Sequence, residues 1–105
     1  MKEADIMRSI QIAVSQHGHR LFRNNQGFFT VDKRKIRTGL GVGSSDLVGW
    51  LGGDGPMRGR FLAIEVKTDK GRLTDEQESF LAAVNRSGGL GFVARSVEEA
   101  LEKLK

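Results

Sequence analysis

The stretch Arg60-Phe-Leu-Ala-Ile-Glu65-Val-Lys67 puts two opposite charges inside the most apolar run of the chain. Alternate residues of a strand share a face, so Phe61, Ala63, Glu65 and Lys67 point one way and Leu62, Ile64 and Val66 the other. A near-continuous apolar run marks a central strand buried on both faces, where a charge is costly unless paired or bound to a metal. A Glu65–Lys67 salt bridge at the strand end meets that requirement, and so does a cation site. A second acid favours the cation. Asp46 follows Gly43-Ser44-Ser45 and begins a strand at 46–51, which a Gly/Pro turn at 52–56 connects to 60–67. Antiparallel pairing brings Asp46 and Glu65 to one end of the hairpin. Two adjacent carboxylates repel unless a cation lies between them, and hard oxygen ligands with water suit Mg²⁺ or Mn²⁺, the Val66 carbonyl adding a third oxygen. Lys67 would orient a water nucleophile or offset charge developing on a phosphate oxygen.

Elements must hold these groups in place. Ile6, Ile10, Ala13, Val14 and His17 recur at helical spacing, predicting an amphipathic helix over 3–16 that Gly18 ends; Glu3 lies on the same stripe. Residues 20–31 read as strand, turn and strand, broken at Asn25-Gln26-Gly27, and 32–43 as a basic, glycine-ended loop. Thr74-Asp75-Glu76-Gln77 is a capping box opening a helix to about Arg86. Gln77 also shares an inward stripe with Phe80, Leu81 and Val84, so it caps the helix and faces the core at once. A short strand at 91–94 and a last helix opened by a second capping box, Ser96-Val97-Glu98-Glu99, complete the chain. This order predicts one small α/β domain over 1–105, a mixed β-sheet flanked by helices. Trp50 and the Phe28-Phe29 pair are expected in the core, and His17 and His19 in surface or capping roles.

The chain has 105 residues, with 17 Lys+Arg against 13 Asp+Glu and a net charge of +4. Segments 1–19, 20–74 and 75–105 carry 0, +6 and −2, so the positive field belongs to the middle. Arg23, Lys33, Arg34, Lys35, Arg37, Arg58, Arg60, Lys70 and Arg72, with Ser44 and Ser45, are the expected phosphate contacts, giving salt-sensitive and largely sequence-independent binding. Absence of cysteine excludes a disulfide scaffold, thiolate zinc and cysteine catalysis. The glycine run at 39–43 matches neither nucleotide-binding fingerprint. No apolar run approaches the ~18 residues of a membrane span, and the start MKEADIMRSIQ lacks the order of a signal peptide, so an intracellular chain without membrane contact is expected.

The ordered set Gly41-Val-Gly-Ser-Ser-Asp46-Leu-Val-Gly49, Ile64-Glu65-Val66-Lys67-Thr68 and Leu73-Thr-x-x-Gln77 resembles the VRR-NUC domain, the virus-type replication-repair branch of the PD-(D/E)xK nuclease superfamily. The resemblance is to stand-alone phage and bacterial members. It implies a restriction-endonuclease-like α-β-β-β-α-β core and divalent-metal-dependent hydrolysis of DNA phosphodiesters, in the cytoplasm of a bacterial host or phage-infected cell. By position, Asp46 takes the first acid, with Ser45 where many relatives have proline; Glu65 and Lys67 take the (D/E)xK pair, Gln77 the helix glutamine and Glu3 the first-helix acid. Stand-alone members are similar to Holliday junction resolvases, which implies a homodimer cutting branched DNA; a two-fold junction suits a symmetric protein. The alternative is a non-catalytic basic nucleic-acid-binding module whose acids form structural salt bridges.

Overall fold

The computed structural model describes residues 2–105. Helix α1 spans Glu3–Gln16 and buries Ile6, Met7, Ile10 and Val14, the stripe that its apolar spacing dictates. Strands β1 (Arg20–Arg23), β2 (Gly27–Val31), β3 (Arg34–Thr38), β4 (Leu47–Trp50) and β5 (Phe61–Val66) follow, then α2 (Asp75–Arg86), β6 (Leu90–Ala94) and α3 (Val97–Lys103). Four strands form one sheet in the order β1-β4-β5-β6. The β1–β4 and β4–β5 pairs are antiparallel and β5–β6 is parallel, so the sheet is mixed, and helices cover it. The expected α-β-β-β-α-β core is α1-β1-β4-β5-α2-β6.

Strand β5 sorts its side chains as alternation requires. Leu62, Ile64 and Val66 are fully buried with Ile10, Val14 and Leu47 on the face that α1 and α3 cover, while Ala63 packs with Leu81 and Val84 of α2 on the other. Each such burial contributes about 1.5–3 kcal/mol, enough to fix the register and with it the faces of Glu65 and Lys67. Gly49 lets β1 approach, since a Cβ there would run into the Arg20 carbonyl.

Three expectations need correction. The segment 32–43 is not a loop throughout: β3 pairs with β2 in a separate two-stranded ribbon, turned at Asp32 and Lys33, both with positive φ. That ribbon is inserted between β1 and β4, and β2 does not pair with β1. Phe28 and Phe29 stand on it in solvent, 63% and 48% exposed, and so lie outside the core. Trp50 is also half-exposed: it stacks on Phe22 at 5.7 Å between ring centroids, on the part of the sheet beyond α2, which lies over β5 and β6. Aromatic burial failed as a guide because neither surface has a layer packed on it.

The histidines take the roles expected. The His17 ring bonds the Ala13 carbonyl at the end of α1, and His19 Nδ1 accepts from the Gly52 amide. Ser96 caps α3 through the Glu99 amide. No helix among the described residues is long and apolar enough to cross a membrane.

Candidate active site

Asp46 stands immediately before β4, one step beyond the Leu47–Ile64 pair, and therefore faces Glu65 across the hairpin. Its Oδ2 accepts the Val66 amide at 2.9 Å, which fastens the first acid to the backbone beside the second. Behind it, Asn24 donates to Ser44 Oγ and the Ser45 carbonyl, and Gln26 donates to the Ser44 carbonyl. These bonds stitch the end of β1 to the loop that delivers Asp46. Ser44 and Ser45 are buried at 2% and 1% exposure, and Ser44 donates to the Gly41 carbonyl. Both side chains are thus enclosed and build the floor of the loop.

Glu65 is 2% exposed. Its Oε2 accepts from Gln77 Nε2 at 3.1 Å and lies 3.5 Å from Lys67 Nζ, while its Oε1 is buried without a partner among the described residues. Burial first, then the charge of Asp46 and a hydrogen bond to it, push the Glu65 carboxyl up to about 8, and Lys67 pulls the other way. With both acids ionised Oε1 has no donor; with Glu65 protonated, the proton can be shared with Asp46.

Gln77 holds both positions that its spacing predicts. Its amide accepts from the Thr74 backbone N–H and its own N–H donates to Thr74 Oγ1, completing the capping box, while its Nε2 reaches Glu65. The structure connects Gln77 to Glu65 rather than to Lys67. Gly43 fixes the approach: with φ +83°, its missing Cβ would lie 2.6 Å from the Glu76 backbone, so the loop before Asp46 rests against the start of α2.

The other expected residues are spread more widely. Glu3 is exposed in the first turn of α1 and makes no hydrogen bond or ion pair with Asp46 or Glu65 among the described residues, where no group of three His, Cys, Asp or Glu that could hold a metal occurs. Arg23 pairs in register with Leu47 and lies at the acid end of the sheet. Arg37 lines a cleft of about 340 Å³ together with Asp46 and Gln77. Lys33, Arg34 and Lys35 are exposed along the ribbon, and Lys70 and Arg72 on the connection from β5 to α2. Arg58 and Arg60 are exposed at the opposite end of the β4–β5 hairpin, roughly 17 Å along the strand from Glu65 at 3.3 Å per residue.

Arg95, at the end of β6, is a positioning residue that spacing did not reveal. Its Nη1 donates to the Thr68 and Gly71 carbonyls at 2.6 Å each, pinning the segment that follows Lys67. Only the parallel pairing of β5 with β6 brings it there.

The donor set suits a hard divalent cation. Glu65 Oε1 is a buried oxygen lacking a donor among the described residues, Asp46 stands opposite Glu65, and Mg²⁺ is commonly held by one or two carboxylates with water and substrate phosphate. A mixed sheet whose central strand ends in E-x-K, beside a strand headed by aspartate, defines a nuclease of the PD-(D/E)xK type, with DNA as its substrate class. The chain belongs to the VRR-NUC family, whose domain model matches residues 6–98, nearly its whole length. Comparison with curated proteins returns no match.

Proposed function

We propose that this chain is a divalent-metal-dependent DNA endonuclease selective for branched DNA and acting as a homodimer. The observation that carries the reading is the buried Glu65 carboxyl facing Asp46, with Lys67 at its edge and one oxygen without a partner among the described residues. Asp46, Glu65 and the Val66 carbonyl would hold Mg²⁺ or Mn²⁺. A bound ion of this kind supplies Lewis acidity at a phosphoryl oxygen and lowers the pKa of water.

The chain's own groups do the rest. Hydrolysis forms one P–O bond from water and breaks one in the backbone; the attacking water gives up a proton and the leaving oxygen gains one. Lys67, half-buried at the mouth of the pair, sets its amine where the phosphate becomes more negative and can orient the attacking water. Gln77 holds Glu65 Oε2 and so leaves Oε1 as the oxygen without a partner among the described residues. The exposed bases of the ribbon and of 70–72 attract the backbone without reading sequence. The half-exposed Phe22, Trp50 and Phe61 offer an apolar surface that a second copy would cover, and two copies give the two centres that a symmetric junction needs.

The test is incubation of labelled four-way junction, flap and linear duplex DNA with Mg²⁺ or Mn²⁺. Cleavage is expected, fastest on the branched DNAs, with rates reduced at least ~100-fold by Lys67→Ala or Glu65→Ala. Cleavage unchanged in these variants, or DNA binding indifferent to metal with no cleavage, would contradict the proposal; the second result is that of a non-catalytic binding module.

A further inference from the structure

The β2–β3 ribbon has two unlike faces. Register places Phe28 opposite Arg37 and Thr30 opposite Lys35 on one face, and Phe29 opposite Ile36 on the other. Phe28 is 63% exposed, yet its ring is not free-standing: the Arg37 guanidinium carbon lies 5.0 Å from the ring centroid. That cation–π contact fixes an aromatic plane in solvent. Phe28 and Arg37 line the same 340 Å³ cleft as Asp46 and Gln77, a volume in the ~300–1,000 Å³ range of small-ligand sites.

An aromatic plane backed by a cation, in a basic surface and beside a phosphodiester-cutting centre, is suited to a nucleobase. Bases inside a duplex are stacked on one another and cannot reach such a ring; an unpaired or extruded base can. We infer that Phe28, held by Arg37, is a stacking platform for an unpaired nucleotide next to the phosphate that the Asp46–Glu65 centre cuts. DNA with an unstacked nucleotide at the cut, such as a flap or an open branch point, is then the substrate class the cleft selects. This rests on the nuclease reading and adds its specificity-determining residue. The charge of the ribbon argues for DNA as the occupant over an apolar partner.

The test uses the full chain and DNA carrying 2-aminopurine, either in the unpaired arm of a flap or within intact duplex, in EDTA so that no cleavage occurs. Wild type is expected to change the fluorescence of the unpaired probe on stacking. Phe28→Ala should abolish that change and weaken flap binding about 5- to 150-fold, leaving duplex affinity unaltered, and Phe28→Trp should restore both. Phe28→Leu, which keeps apolar bulk on the ribbon, should behave as Phe28→Ala; a leucine variant indistinguishable from wild type overturns the inference. So does an equal loss on both DNAs, or a Phe28→Ala protein whose altered self-association accounts for the change. The same proteins are then given Mn²⁺. Cleavage with no dependence on Phe28 removes the platform and keeps the nuclease, whereas stacking by a wild type that never cleaves supports the platform and removes the nuclease.

Discussion

Glu65 has been placed where a carboxylate is least stable alone, and its protonation sets how the metal-free protein responds to pH. Unfolded, it would titrate near 4.5; folded, it is pushed up to about 8. The native state therefore holds a proton that the unfolded state has lost between these values, so this contribution to stability is complete below 4.5 and falls away as pH rises towards 8. Metal-free wild type should lose thermal stability across that window, by up to ~1.4 kcal/mol per pH unit. Glu65→Gln, neutral throughout, should show a flatter profile in paired thermal denaturation series; parallel profiles would contradict the assignment. The pair was legible because a charge inside an apolar strand demands an explanation, and Gln77 because its two periodicities coincide. Burial of Ser44 and Ser45 was not legible, since small polar residues after glycines suit a surface turn as well as a buried one.

At the scale of elements, the site depends on how the loop before β4 meets the start of α2. Gly43 touches the Glu76 backbone, Gln77 follows one residue later, and Gln77 holds Glu65. Gly43→Ala adds a Cβ where φ is +83° and backbone is 2.6 Å away, so α2 must shift. A destabilisation of about 1–3 kcal/mol is expected, with a larger loss of cleavage than Gln77→Ala alone, because the loop carrying Asp46 moves too. Thermal denaturation and cleavage rates of the two variants check this, and wild-type rates in Gly43→Ala would contradict it. The helices and core strands were readable because caps and alternation impose themselves where a core exists. Of the ribbon, β2 was readable as the second strand of 20–31, but β3 was not: it is exposed along its length, so no burial pattern marks it, and the bases and glycines of 32–43 read as a loop.

For the whole molecule, the bases of the +6 middle divide between two places in the fold. The ribbon and the 70–72 connection lie near the acids, whereas Arg58 and Arg60 lie at the far end of the hairpin. Replacing Lys33, Arg34 and Lys35 together with alanine should reduce the salt dependence of duplex binding by roughly 0.9 in slope for each phosphate that is no longer neutralised. Binding measured across a salt series reads this directly, and an unchanged slope would remove the ribbon from the DNA interface. The central claim is that Asp46 and Glu65 form a divalent-cation site, and calorimetric titration of Mn²⁺ near pH 6.5 in buffers of different ionisation heat tests it most directly. Wild type should bind Mn²⁺ with release of close to one proton, because Glu65 must give up the proton that it holds below about 8. Asp46→Ala and Glu65→Gln should abolish that binding. Absence of Mn²⁺ binding by wild type, or binding unaltered in both variants, would contradict the account.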